Sequence, residues 1–189
     1  MIRRVDDWLP TISQARCVDV DEVNDLQSAL GGVVLEASYL EWVLRAAFAA
    51  LVGSKYAPVV DGHLTAHNLI ETCENVAEVH TDLAAEEKMR LAAALRACNT
   101  ANTKRNRVIH DAWALRPGDV TVTLQTSRRT QDVAVTARTL SELRQVADEL
   151  GKAADDLVAA VTAAFGPDGM RVEDQLRLEL GRDIGADPG

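Results

Sequence analysis

The fold is decided by the stretch DEVNDLQSALGGVVLEASYLEWVLRAAFAAL, Asp21 to Leu51. Its apolar residues recur at alternating spacings of three and four, which is the pattern of a helix with one apolar face. They are Val23, Leu26, Leu30, Val33, Ala37, Leu40, Leu44, Ala47 and Leu51. Asp21 is a suitable N-cap and Gly53 a suitable stop, so we predict one long amphipathic helix between them.

A glycine pair, Gly31-Gly32, lies inside this helix. Each glycine costs about 1 kcal/mol relative to alanine in a helix interior. We therefore predict either the close packing of a neighbouring element or a bend at this point.

Three more helices are predicted downstream. The second runs roughly from His63 to Val79, and the third from near Asp82 to about Trp113. The last is opened by a capping box, Thr139 with Glu142 three residues later, and it runs to about Phe165.

Between the third and the last helix the apolar period changes from helical to alternating. Val120, Val122 and Leu124 alternate before a polar turn, and Val133 and Val135 alternate after it. This pattern predicts a two-stranded hairpin at about 119–136. The predicted fold class is therefore all-α, a mostly antiparallel bundle of four to five helices with a small β-hairpin inserted.

The chain of 189 residues is long enough for one domain with a substantial core, and its length gives no reason to expect two. We assign residues 1–20 to an N-terminal extension and residues 21–166 to the helical domain. Residues 167–189 are assigned to a C-terminal extension or tail.

Composition limits the function classes. The net charge of −9 argues against a protein that coats nucleic acid, because such binding needs many Lys and Arg side chains to neutralise phosphates. No run of about 18 apolar residues is present, so no membrane span is expected. The cysteines Cys17, Cys73 and Cys98 have no paired spacing and fit reduced thiols, and acidic residues directly after Arg3-Arg4 do not fit a signal peptide. We expect a cytoplasmic protein.

Arg105 has an unusual place for a charged residue. At about 100° per residue, the apolar residues of the third helix fall within about 80° of it on either side. Those residues are Leu91, Leu95, Cys98, Ala101, Val108, Ile109, Ala112 and Trp113. A guanidinium aimed at a core needs a carboxylate partner. We predict an ion pair, direct or through water, with Glu41, which lies between Val34 and Phe48 on the core-facing side of the first helix.

Asn106 and His110 fall near 100° and 140° on the same wheel, one turn apart at the edge of the apolar face. Lys104 and Arg107 complete the densest basic cluster of this acidic chain. One interpretation is structural, a buried ion pair with His110 as a cation favoured at a helix C-terminus. The other is a cleft that binds phosphate, in which the guanidinium holds the anion and His110 moves protons.

The stretch Arg105-Asn106-Arg107-Val108-Ile109-His110 resembles the Arg-Asn-x-x-x-His form of the HEPN-domain motif. HEPN domains are α-helical bundles that usually carry this motif near the end of their third main helix. The helices predicted from about Asp21 to Phe165 are compatible with such a bundle. The hairpin before the last helix is a departure that leaves the subfamily open. Catalytically active HEPN proteins are metal-independent endoribonucleases of toxin–antitoxin, phage-defence and RNA-processing systems.

The resemblance implies a role for each motif residue. Arg105 would hold the scissile phosphate and stabilise its developing charge. His110 would act as general acid or base for attack by the 2′-hydroxyl, and Asn106 would orient the pair. Lys104 and Arg107 would contact the RNA. The resemblance also implies no metal and no cofactor, a homodimer in which two motifs face one cleft, and a cognate antitoxin protein if the system is of that kind.

Two other functions stay open at this point. One is a non-catalytic HEPN-like helical module that binds RNA, nucleotide or a protein partner through the same residues. The other is a structural bundle in which the motif occurs by chance. A metal site made by His63, His67, Cys73 and His80 is disfavoured, because nothing completes the set at a recognised spacing. Arg128-Arg129 at the hairpin tip is most simply a solvated turn.

Overall fold

The chain folds into helices with one small sheet. The computed structural model describes residues 20–110, 112–116, 120–126 and 133–166. The elements are α1 (Val20–Val52), α2 (Ala57–Asp61), α3 (Ala66–Val79), α4 (Ala85–His110), β1 (Ala112–Arg116), β2 (Val120–Thr126), β3 (Val133–Arg138) and α5 (Leu140–Phe165). The prediction of a mostly helical protein is confirmed.

Helix α1 confirms the long helix expected from the sequence. Its 33 residues end at Val52, and Gly53 follows with a φ of 61°. The Gly53 N–H donates to the Ala49 carbonyl oxygen at 2.9 Å. Glycine adopts this left-handed conformation without a steric penalty, so Gly53 ends the helix as predicted.

Helix α5 begins with the predicted capping box. The Thr139 N–H donates to Glu142 Oε2 at 2.9 Å, and the Glu142 N–H donates to Thr139 Oγ1 at 3.1 Å. The two residues thereby satisfy donors that the first helical turn leaves without intrahelical partners. The helix ends at Phe165, as predicted, and Gly166 follows with a φ of 77°.

The second predicted helix starts later than expected. A short helix, α2, occupies Ala57–Asp61, ahead of the start predicted near His63, and α3 begins only at Ala66. Thr65 is the N-cap of α3, and its Oγ1 accepts from the Asn68 N–H at 3.3 Å. A hydroxyl is a better cap than the preceding side chains offer, which explains the later start.

The third predicted helix is shorter at both ends. It begins at Ala85 and ends at His110. Just before its first residue, the Ala84 N–H donates to Glu87 Oε2 at 2.8 Å. Ala112 and Trp113 therefore belong to β1 and not to the apolar face of the helix. The partner strand of β1 comes later in the chain, so the local pattern alone could not reveal the change from helix to strand.

The three strands form one antiparallel sheet in the order β1-β2-β3. Trp113 is opposite Thr123, and Leu124 is opposite Val135. The sequence predicts two strands at about 119–136, whereas the described sheet has β1 as a third strand.

The chain divides into two compact units. Among the described residues, the first takes Val20–Ser38 together with those of 101–151, and the second takes Tyr39–Thr100 together with 152–166. Helices α1, α4 and α5 each contribute residues to both units. The prediction of a single domain over 21–166 stays a prediction.

In the first unit, α1 contacts α5. A Cβ placed on Gly32 would lie 3.8 Å from the Ala147 Cβ, and one placed on Gly151 would lie 2.8 Å from Glu36 Oε2. Both contacts advance by four residues on each helix, so these segments run in the same direction. This pair departs from the antiparallel arrangement that we predict for most of the bundle. The close packing predicted for the glycine pair is found at Gly32, whereas a Cβ on Gly31 would have no neighbour within 4 Å.

Each unit buries its own apolar residues. In the first unit, the largest fully buried side chains are Val33, Val108, Leu143 and Leu150. In the second unit, they are Leu40, Val43, Leu44, Leu69, Ile70, Leu91, Leu95 and Leu157. Val33, Leu40, Leu44, Leu91, Leu95 and Val108 belong to the apolar faces predicted from the sequence, so these parts of the predicted faces are buried.

Replacing Gly31 with alanine is expected to stabilise the protein by about 0.5–1 kcal/mol. The residue is exposed in the interior of α1, and an added Cβ meets nothing within 4 Å. The free energy of unfolding should be measured in urea. The matched control is Gly53→Ala, which should be destabilising because its φ of 61° strains any residue with a Cβ. Equal effects of the two substitutions would contradict this explanation.

Several predictions fall outside the described residues. They concern the N-terminal extension up to residue 19 with Cys17, the tail after residue 166, and Arg128-Arg129 at the hairpin turn. Within the part of the chain that the structure describes, no helix has both the length and the apolar character needed to cross a membrane.

Candidate functional site

Arg105 lies near the C-terminal end of α4, in the first unit. Its neighbours Ala101 and Val108 on the helix are both buried, as the wheel predicts, while Ile109 is exposed and is wrongly placed in the predicted apolar face. Arg105 itself is half-buried, and its Nε atom is buried. The guanidinium therefore sits at the border between the core and solvent.

Arg105 and Asn106 are joined directly. Arg105 Nη1 donates to Asn106 Oδ1 at 3.0 Å in a partly buried position. This bond uses one of the five guanidinium donors and restrains both side chains. The bond therefore restrains the orientation of the guanidinium relative to the Asn106 amide, and a planar guanidinium is the kind of group that binds an anion through paired donors.

His110 is the last residue of α4 and is exposed. It follows Asn106 by one helical turn, so the two side chains belong to neighbouring positions on the helix surface. An exposed imidazole beside a restrained Arg–Asn pair can exchange protons with a bound ligand.

Lys104, Arg107 and His110 lie three residues apart on α4, and we call this set the basic row. Side chains at this spacing are neighbours on a helix surface, and the row rises about 9 Å along the helix axis. Arg107 and His110 are exposed, and 44% of the Lys104 side chain is exposed. Arg107 and His110 thus lie on the solvent side of the helix, whereas Lys104, one turn before the buried Val108, lies at the border with the core.

One member of the basic row is already bound to a carboxylate. Lys104 Nζ lies 2.6 Å from Glu149 Oε2 on α5, and Gln145 Nε2 donates to Glu149 Oε1 at 3.0 Å. The hydrogen bond from Lys104 is the largest cause that lowers the pKa of the Glu149 carboxyl below its ordinary value. The charge of Lys104, at one end of the basic row, is therefore neutralised by Glu149, while Arg107 keeps an exposed positive charge.

The predicted partner of Arg105 on α1 is Glu41. Glu41 is half-buried, which agrees with its predicted position toward the core. It belongs to the second unit and Arg105 to the first, so the ion pair between them stays a prediction.

Sequence reasoning missed two contributors to buried polar structure. Asp61 is only 4% exposed and binds Arg45, whose Nη1 donates to the Asp61 carbonyl oxygen at 2.7 Å and lies 3.6 Å from Oδ1. Asn102 is 5% exposed and precedes Asn106 by one turn of α4. Its place one turn from the motif was visible on the wheel, whereas the pairing of Arg45 with Asp61 depends on the unpredicted helix α2.

The other histidines lie in the second unit in ordinary settings. His67 Nε2 is 3.7 Å from Glu71 Oε1, one turn later on α3. His80 packs edge-on against Phe165, with ring centroids 5.7 Å apart, and its Nδ1 accepts from the Asp82 N–H. Across the described ranges, no group of three or more His, Cys, Asp and Glu side chains is arranged to hold a metal ion.

Cys73 and Cys98 are buried free thiols, which agrees with the place of Cys98 on the predicted apolar face of the third helix. Burial raises the pKa of both thiols to about 12. Each sulfur approaches a carbonyl oxygen, Cys73 Sγ that of Leu44 at 4.0 Å and Cys98 Sγ that of Ala153 at 3.5 Å. Both thiols are therefore neutral near pH 7 and poor nucleophiles.

Comparison of the chain with known proteins found no relative. No protein-family model matches the chain, and neither the curated proteins nor the solved structures contain a match.

Proposed function

We propose that this protein is an endoribonuclease of the HEPN type, whose site is formed by Arg105, Asn106 and His110. The observation on which the proposal depends is the hydrogen bond from Arg105 to Asn106 in a half-buried position, with an exposed His110 one turn later. An arginine with a purely structural role would need only a hydrogen-bond partner such as Asn106, and no exposed histidine nearby. The imidazole of His110 is exposed, and an imidazole is the kind of group that a proton-transfer reaction requires.

The proposed reaction is an internal transfer at one phosphodiester. The 2′-hydroxyl oxygen forms a bond to phosphorus and gives up its proton, while the bond from phosphorus to the 5′-oxygen breaks and that oxygen takes a proton. The products are a 2′,3′-cyclic phosphate and a 5′-hydroxyl. Arg105 stabilises the charge that builds on the non-bridging oxygens through its planar donors. His110 supplies or accepts one of the two protons.

The reaction needs both an acid and a base, and one motif contains one histidine. We therefore extend the proposal to a homodimer in which each copy contributes one His110 to a shared cleft. The proposed chemistry uses no metal and no cofactor. An antitoxin protein that covers the motif would be the natural partner if the protein is a toxin, and a role in phage defence rests on the same resemblance.

RNA recognition in this proposal depends on local charge and not on net charge. The whole chain carries −9, so it repels a polyanion at long range. The basic row gives the motif a local surface of the opposite sign, with Arg107 and His110 exposed. Such a surface suits a short single-stranded segment better than an extended duplex.

The test is cleavage of a mixed RNA pool by the wild-type protein in the presence of a chelator. We expect fragments that end in 2′,3′-cyclic phosphate, and we expect no cleavage of the same pool made with 2′-O-methyl ribose, because the nucleophile is then blocked. RNA that stays intact under all buffer and salt conditions would contradict the proposal. RNA binding without cleavage would instead identify a non-catalytic binding module.

A further inference from the structure

Lys104 is the member of the basic row whose charge is not free. Its Nζ is 2.6 Å from Glu149 Oε2, just below the range of about 2.7–2.9 Å for a charge-assisted N–H···O hydrogen bond. The carboxylate is itself held by Gln145, one turn earlier on α5, through a bond of 3.0 Å. Glu149 thus accepts through both carboxylate oxygens, and the bond from Gln145 holds the carboxylate in place facing Lys104.

This pair is open to solvent and can exchange partners. The exposed fractions of the Lys104 and Glu149 side chains are 44% and 31%. Exposed ion pairs contribute little to stability, and salt weakens them. A phosphate that approaches Lys104 must therefore displace Glu149 first, and the Lys104 side chain is long enough to turn toward the phosphate once Glu149 releases it.

The position of Lys104 at one end of the basic row explains why competition between Glu149 and an RNA phosphate for Lys104 would affect RNA binding. Arg107 lies between Lys104 and His110, three residues from each. An RNA strand whose scissile phosphate lies at His110 and that follows the row toward the start of α4 passes Arg107 first and Lys104 second. Lys104 is then the outer contact of the strand.

We propose that Glu149 is a positioning residue that holds Lys104 away from RNA and so limits the number of phosphates that the basic row binds. The inference rests on the proposed function, because it takes RNA as the ligand of the row. Removal of the Glu149 charge releases Lys104 and lengthens the row by one phosphate contact. RNA affinity rises as a result.

The experiment measures RNA binding at several salt concentrations. The readout is the fluorescence anisotropy of a labelled 2′-O-methyl single strand, which cannot be cleaved. One additional phosphate contact on a single strand steepens the dependence of log affinity on log salt by about 0.7 and tightens binding about five- to tenfold at 50 mM salt. We expect both changes in Glu149→Gln. The double variant Lys104→Ala with Glu149→Gln should return to the wild-type salt dependence, because neither it nor the wild type offers a free Lys104 charge.

Glu86→Gln is the matched control. It frees Arg90 from an exposed ion pair near the start of α4, in the second unit, and it should leave the salt dependence unchanged. Glu149→Ala is measured beside Glu149→Gln, because a glutamine oxygen can still accept from Lys104. A merely structural role of Glu149 would change the thermal midpoint and not the salt dependence.

The outcomes separate the two proposals. If the wild type binds RNA and neither Glu149 variant steepens the salt dependence, the inference is overturned and the proposed function stands. If no protein of the set binds RNA, both are overturned. A steeper dependence in the Glu149 variants that persists after Lys104 is removed also overturns the inference, because the new charge would then not come from Lys104.

Discussion

Replacing His110 with alanine is expected to lower the rate of RNA cleavage by about 10²- to 10⁴-fold, the usual contribution of a general acid or base. His110 is exposed at the last position of α4, so its truncation removes no buried contact. The free energy of unfolding should change by less than about 0.5 kcal/mol, as for other surface substitutions. The measurements are single-turnover cleavage of one labelled RNA and urea unfolding of the same preparation.

The matched control for His110→Ala is His67→Ala. His67 is also exposed and helical, but it lies on α3 in the second unit. Its loss should leave the cleavage rate within about twofold of wild type, the size of a minor surface effect. Equal rates in wild type and a folded His110→Ala variant would exclude His110 as the proton carrier.

Arg105 should affect both cleavage and stability. Its guanidinium is half-buried and bound to Asn106 Oδ1, so Arg105→Ala leaves this acceptor without its donor and should cost about 1–3 kcal/mol of unfolding free energy. Loss of a group that stabilises the developing charge should lower the cleavage rate by about 10²- to 10³-fold. Cleavage must therefore be measured well below the thermal midpoint of the variant.

Arg105→Lys separates the two effects. Lysine keeps the positive charge, but it lacks the planar donors that bind Asn106 and a phosphate together. We expect most of the stability to return while cleavage stays about 10²-fold below wild type, because a point charge does not replace the bidentate geometry. Arg96→Ala, an exposed arginine of the same helix, is the control and should change neither quantity. Full activity of folded Arg105→Lys would indicate that only the charge of this residue matters.

Features with a local cause were predictable from the sequence. The capping box of Thr139 and Glu142 uses side chains three residues apart, and its two hydrogen bonds are present as expected. Gly53 ends α1 because its own conformation stops the helix. The half-burial of Arg105 followed from its place on the wheel, since helical periodicity fixes which positions face the core.

Features that depend on distant parts of the chain were not predictable. Trp113 fits the helical period, yet it lies in β1 because a strand that comes later pairs with it. The wheel places Val34 on the core-facing side of α1, but Val34 is 50% exposed. Glu149 is 45 residues from Lys104, and no spacing rule connects two helices at this separation.

The most direct test of the account is chemical rescue of His110→Ala with imidazole, measured on one labelled RNA in the presence of a chelator. Because His110 is exposed, its truncation leaves space that solvent and small molecules can enter. The account predicts that cleavage by this variant rises with imidazole concentration and gives the same 2′,3′-cyclic phosphate ends, while the wild type does not respond. A folded His110→Ala variant that already cleaves at the wild-type rate, or that does not respond to imidazole, would contradict a catalytic role for the motif.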